Sequence, residues 1–169
     1  QAMKRRTELF MRFELGSDPS YFGVLHSSIA KAVAHARAKR APIAIRLNGT
    51  SDIVWEAKKY RHHGPLGLNM SVFDHWPDVQ FYDYTKIAAR MWKPWPANYH
   101  LTLSASEDNL ADCFKVLDMQ AGNVAVVFPQ KAGPTAIKGL PAIDKLPASF
   151  AIKGKRFKVI DGDWTDLRY

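Results

Sequence analysis

One cysteine, Cys113, is all that 169 residues contain. A disulfide framework, a zinc knuckle and any cysteine-ligated cluster built from this chain alone are therefore excluded. The expected compartment is reducing and cytosolic. Long apolar runs are also missing. The longest, such as residues 123–128, are strand-sized, so no transmembrane helix and no membrane partner is expected. No Walker motif, Gly-x-Gly-x-x-Gly, Gly-x-Ser-x-Gly or His-Glu-x-x-His occurs, which removes the commonest nucleotide, hydrolase and zinc-protease signatures. The chain opens Gln1-Ala2-Met3 without an initiator Met, which reads as a fragment or a processed end. No signal-peptide apolar region comes after it.

The remaining composition is that of a globular protein. Hydrophobic residues make up 47% and aromatics 12%, enough to bury a core in one domain and too much for wholesale disorder. No internal repeat, low-complexity tract or linker is visible. The expectation is a single domain over 1–169 with a basic helical N-terminal third, residues 1–40.

Acidic residues are the scarcer charge, 16 against 24 Lys and Arg, for a net of +8. The excess is uneven. Residues 1–63 carry 12 basic and 5 acidic side chains, whereas 64–169 carry 12 and 11. Lys4, Arg5, Arg6 and Arg12 form one group, and Lys31, Arg37, Lys39 and Arg40 another. Such a surface attracts nucleic acid or another anionic ligand without reading sequence. The plainer alternative is a solvated helical face that keeps the protein soluble.

Residues 3–13 read as a short basic helix. Asp18 and Pro19 suit the cap and first position of a second, whose Phe22, Leu25, Ile29 and Val33 recur at helical spacing to about Lys39. Strand-like runs come next at 43–47, 79–83, 99–103, 123–128 and 157–160. A helix is expected over 107–119, with Leu110, Cys113, Phe114 and Leu117 on its apolar stripe. The run Ser104-Ala105-Ser106-Glu107 matches a capping box, and Gly122 falls past its end. The segment 129–156 reads as loop with a short strand near 149–152. Strands alternating with helices predict an α/β fold. The sheet should be mostly parallel, of about five strands flanked by helices, with a partial (β/α) barrel as a variant.

In parallel α/β folds ligands gather at the carboxyl ends of strands. Polar clusters adjoin the strand runs here. Arg46, Asn48, Thr50 and Asp52 lie at the end of the first, and Asp83, Tyr84 and Lys86 at the end of the second. His100, Thr102 and Ser104 belong to the third, and Asp161, Asp163 and Arg168 come after the last. These thirteen are the candidate ligand-binding residues. Lys86, His100, Asp52 and Asp83 are the catalytic candidates, and with Asp161 and Asp163 they would serve as acid, base or metal ligands. Alternation should put Arg46 and Asn48 on one side, and His100, Thr102 and Ser104 on one side.

Each piece has a plainer reading. Asn48-Gly49 is a turn signal, and Ser51 or Asp52 can cap the next helix. Asp161-Gly162-Asp163 suits a tight turn and lacks the other ligands of a calcium loop. Arg46 and His100 within strands are either satisfied core groups or site residues. His62-His63 has no fixed third ligand and reads as exposed loop. Trp76-Pro77 and Trp92-Lys93-Pro94-Trp95-Pro96 read as loop clamps, with a base-stacking platform as the alternative. Cys113 reads as packing rather than a nucleophile.

Five stretches together resemble the gene product 88-like family of phage and prophage proteins. They are Arg46-Leu47-Asn48-Gly49-Thr50-Ser51-Asp52-Ile53, Phe81-Tyr82-Asp83-Tyr84-Thr85-Lys86, Asn98-Tyr99-His100-Leu101-Thr102-Leu103-Ser104, Asn123-Val124-Ala125-Val126-Val127-Phe128, and Asp161-Gly162-Asp163 with Asp166-Leu167-Arg168. The ordered set spans 42–168. The resemblance implies a phage or prophage origin, and hence a bacterial host cytoplasm, but no particular activity. Some longer relatives carry clustered cysteines upstream and are similar to partial barrels of the radical-SAM type. This chain lacks those cysteines, so no such cluster is expected in it. Relatives are expected to continue beyond Asp-Leu-Arg.

Three functions are compatible with the residues. One is binding of nucleic acid or a phosphorylated ligand through the basic surface and the strand-end cluster. The second is an enzyme with an acid/base or metal-dependent site at the strand ends. The third is a phage–host interaction protein without catalysis.

Overall fold

The structure, a computed structural model, describes residues 2–14, 20–49, 51–61, 69–128, 143 and 145–162. The Asp18–Pro19 cap, His62 and His63 fall outside them, as do Thr50, Asp163, Arg168 and most of the 129–148 loop. The chain divides into two compact units, 1–45 and 46–169.

The first unit is helical. Helix α1 (Ala2–Glu14) and helix α2 (Ser20–Ala38) meet through an edge-on contact of Phe10 with Tyr21, their rings 5.4 Å apart. Along α2 the buried residues are Phe22, Ile29, Val33 and Ala36, one stripe at helical spacing. The helix closes where Arg40 turns left-handed, φ 51°. There the Ala41 amide donates to Ala36 and the Arg40 amide to Arg37, capping the last carbonyls. Both expected N-terminal helices are present.

The second unit carries a four-stranded sheet. In chain order its elements are β1 (Ala44–Arg46, which straddles the division), a 3₁₀ turn at Trp55–Ala57, and β2 (Tyr60–Arg61) paired antiparallel with β3 (Asn69–Met70). Then come α3 (Val72–His75), β4 (Gln80–Thr85), a second 3₁₀ turn (Ala88–Trp92), β5 (Tyr99–Ser104), α4 (Leu110–Asp118) and β6 (Asn123–Ala125). The hairpin β7 (Ser149–Ile152) and β8 (Lys155–Lys158) is last. Sheet order is β1-β4-β5-β6, with β4–β5 and β5–β6 parallel. This is the expected α/β class. Strand order matches chain order, so among the described residues no reversal creates a switch-point crevice.

Three local expectations change. The sheet has four strands, because the run at 157–160 pairs with β7 in a separate hairpin. Lys153 and Gly154 at φ 49° and 79° close that hairpin in two residues. Positive φ at both turn positions is the geometry that local antiparallel pairing favours. Helix α4 begins after Asn109 and not at a Ser104–Glu107 capping box. The Asn109 side chain accepts the Ser106 amide and donates to the Ser104 carbonyl, tying down the approach to the helix. The left-handed residue at its far end is Gln120, φ 53°, not Gly122. Gly122 serves a close approach instead: a Cβ there would lie 2.7 Å from the Met91 side chain.

The apolar core of this unit lies chiefly on one face of the sheet, with Tyr82 and Thr102 buried on the other. Phe81, Leu101 and Leu103 are fully buried. Phe73 covers them from α3, edge-on to Phe81 at 5.3 Å and tilted against Tyr99 at 4.5 Å. Asn98 braces the preceding loop by donating to the carbonyls of Phe73, Trp76 and Val79.

Candidate functional site

In β4 and β5 successive side chains alternate between faces. The register pairs Phe81 with Tyr99, Asp83 with Leu101 and Thr85 with Leu103 on the core face. Tyr82 with His100 and Tyr84 with Thr102 occupy the other. This alternation divides the sequence-derived candidates into two groups separated by the sheet.

On the core face sits a polar network around Asp83, which is 1% exposed. Asp83 accepts the Asn48 amide at 2.6 Å, the Asn48 side chain at 3.2 Å and the Tyr99 hydroxyl at 3.1 Å. The other end of the Asn48 side chain accepts from Ser51, the Ile53 amide and the Trp55 indole at 2.9–3.1 Å. One residue thus holds the loop after β1 in shape. Arg90 donates to Tyr99 at 3.0 Å, forks onto both oxygens of Glu56 at 2.8 and 2.7 Å, and pairs with Asp52 at 2.6 Å. Asp52 in turn accepts the Thr85 hydroxyl and the Lys86 amide at the end of β4. Trp95, from the Trp-Pro cluster, donates to the Arg90 carbonyl and clamps that turn.

The electrostatics derive from burial. Asp83 is pushed up to about 6, first by burial, against the lowering pull of Asn48, Tyr99, Arg90 and Arg46. Tyr99 is raised, first by burial and then by the charge of Asp83. On Arg90 burial opposes the charge, but the Glu56 hydrogen bond and the charges of Tyr99, Glu56 and Asp52 prevail and raise its pKa. No buried side-chain nitrogen or oxygen among the described residues lacks a partner. A closed network of this kind orders the loop and strand ends rather than presenting open valences to a substrate. No group of three or more His, Cys, Asp or Glu side chains among the described residues could hold a metal ion.

On the opposite face lie Tyr84, His100, Thr102 and Ser104. Arg46 stands over the Tyr84 ring at 4.8 Å. His100 is half-buried, its Nε2 3.2 Å from the Asn123 side-chain amide, and burial lowers its pKa. Arg46 and Asn48 do not share a side, contrary to expectation. The strand ends at Arg46, so alternation does not carry to Asn48, which turns into the core. His100, Thr102 and Ser104 do share a face.

Of the four catalytic candidates, Asp52 and Asp83 are on the core face and His100 is on the other. Lys86 is exposed just beyond β4, its main-chain amide held by Asp52. Asp161 is exposed after β8. Arg90, Glu56, Tyr99 and Trp55 are central to the network and were not singled out from sequence. The available signal was a lone guanidinium in an otherwise apolar turn, Ala88-Ala89-Arg90-Met91-Trp92. Cys113 is buried and its thiol is pushed up to about 11, first by burial.

In the first unit Lys4, Arg5, Arg12, Lys31, Arg37, Lys39 and Arg40 are exposed, and so is Glu8. The side chain of Arg6 is outside the described set. Among the described residues no helix is long and apolar enough to cross a membrane.

Fold and site together define an α/β protein with a parallel sheet, a basic helical unit and a closed polar network under the strand ends. The chain matches the family model described as Gene product 88 over residues 1–168. It belongs to the gene product 88 family, a phage gene product family. The match reaches upstream of the 42–168 motifs and takes in the basic helices. No curated protein and no solved structure matches the chain.

Proposed function

We propose that this phage-family protein binds nucleic acid or a phosphorylated ligand through the basic surface of residues 1–40, with the polar strand-end region adding specific contacts. One observation carries the reading. Seven Lys and Arg side chains of the first unit are exposed, and among the carboxylates whose side chains are described there Glu8 is exposed. A predominantly basic helical surface draws phosphates by charge and releases their counterions. The acid–base reading has less support, because Asp52 and Asp83 are engaged by Arg90 and Asn48 and the sheet stands between them and His100.

The test is fluorescence anisotropy with single- and double-stranded oligonucleotides over a salt series. Four phosphate contacts would weaken binding by about a hundredfold between 50 and 200 mM salt. Replacing Lys31, Arg37, Lys39 and Arg40 by Gln should flatten that slope. An absence of binding at low salt overturns the reading.

A further inference from the structure

Arg46 is exposed and restrained at once. Its Nε donates to the Asn48 carbonyl at 2.7 Å and its Nη2 to the Gly49 carbonyl at 3.5 Å. Its Cζ lies over the Tyr84 ring, 4.8 Å from the ring centre. No carboxylate among the described residues lies within ion-pair distance of it, in contrast to Arg90, which holds two. A guanidinium has five N–H donors, and these contacts use two. The remainder belong to an exposed residue.

The surroundings form a row. Tyr84 pairs with Thr102 and Thr102 with Asn123, so Arg46, Tyr84, Thr102 and Asn123 cross the sheet on one face, Thr102 buried and Arg46 and Asn123 exposed at either end. Neighbouring strands are spaced about 4.8 Å apart. His100 joins through Asn123 at 3.2 Å, and Tyr82 lies edge-on to Tyr84 with ring centres 6.5 Å apart. A fixed cation with a free fork suits a phosphate, and the open side of a guanidinium plane suits a nucleobase.

We infer that Arg46, seated over Tyr84, forms a nucleotide subsite: the free N–H edge of Arg46 takes a phosphate ester, and its outer plane stacks the base. The inference rests on the phosphate-ligand reading above and places one contact of it on the sheet. The phosphate can come from a free nucleotide or from a nucleic-acid strand.

Heteronuclear NMR titration of the whole chain tests it, with adenosine 5′-monophosphate, adenosine, inorganic phosphate and a short single-stranded oligonucleotide as probes. Adenosine monophosphate should shift the Arg46 Nε–H resonance and bind more tightly than adenosine or phosphate. Arg46→Gln should weaken it at least about tenfold. Arg46→Lys, which keeps the charge and loses the fork, should restore only part. The thermal midpoint of each variant separates lost binding from lost fold, and Arg46→Lys keeps the test open if Arg46→Gln does not fold. Binding of the monophosphate without the oligonucleotide supports the subsite and assigns a free nucleotide; binding of both, each weakened in Arg46→Gln, assigns a strand. If the oligonucleotide binds wild type and Arg46→Gln equally with a steep salt slope, the subsite is wrong and the basic-surface reading stands. If no probe binds, both are wrong.

Discussion

Asp83, in the middle of β4, accepts both the main-chain and the side-chain amide of Asn48, at 2.6 and 3.2 Å. The chain just past β1 is thereby fastened to the centre of the sheet, and Asn48 passes the restraint on to Ser51, Ile53 and Trp55. A buried carboxylate that accepts three hydrogen bonds is tolerated because its partners replace the lost water.

Arg90 is 3% exposed at its side chain, against 10% for Glu56 and 29% for Asp52. Arg90→Met should destabilise the protein by about 3–5 kcal/mol, since it leaves Glu56 buried without its counter-charge. Arg90→Lys should recover only a minor part, because one ammonium cannot fork onto Glu56 and also reach Asp52 and Tyr99. Urea denaturation checks both, as a lower midpoint at unchanged slope.

Asp83 gives stability a pH dependence of definite sign. Its folded pKa, about 6, is above its ordinary value of 3.8, so between those values the native state binds a proton that the unfolded state does not. Stability from this group is therefore highest at or below about pH 4 and declines as pH rises to 6, by at most about 1.4 kcal/mol per pH unit. Asp74 runs the other way, its pKa lowered first by the Ser71 amide. Comparing wild type with Asp83→Asn isolates the first effect: the stability difference should shift in favour of the variant between pH 4 and 6 and then level off. A constant difference across that window would falsify the assignment.

Two turn positions should respond oppositely to glycine chemistry. Gln120→Gly should stabilise by about 0.5–1 kcal/mol, since a non-glycine residue at φ 53° is mildly strained. Gly122→Ala should destabilise by about 1–3 kcal/mol, because an L side chain is strained at φ 157° and its Cβ would also push aside the terminal methyl of the buried Met91, 2.7 Å away. Shortening Met91 in the Gly122→Ala background should relieve part of that loss, read as non-additivity in a double-mutant cycle.

Cys113 should resist alkylation in the native protein at neutral pH and react on unfolding. Its thiol is buried, pushed up to about 11, and bonded to Asn109 at 3.3 Å. Rapid native-state labelling by iodoacetamide would show that α4 opens readily.

The N-terminal helices and the strands at 44–46, 80–85 and 99–104 were legible because each depends mainly on local periodicity and breakers. The hairpin of residues 149–158 was only half legible. Both strands are visible in the sequence, but pairing is a contest between a nearby partner and a distant sheet, and the Lys153-Gly154 turn favours the near one. The polar residues after each strand were legible as a group, while their division between two faces was not. Asn48 lies two residues after Arg46, yet the strand ends between them and the two side chains part.

The sequence by itself determined a basic first third, an α/β pattern, a chain with one thiol to offer and a motif order that places it in its family. Those properties reside in composition and short-range spacing. Only the tertiary structure decided that Arg90 forks onto Glu56 and reaches Asp52 while Asn48 and Tyr99 hold Asp83, and that Arg46 stands over Tyr84 with no carboxylate within ion-pair distance among the described residues. Charge partners more than thirty positions apart are chosen by which strands lie side by side, and no local pattern records that choice.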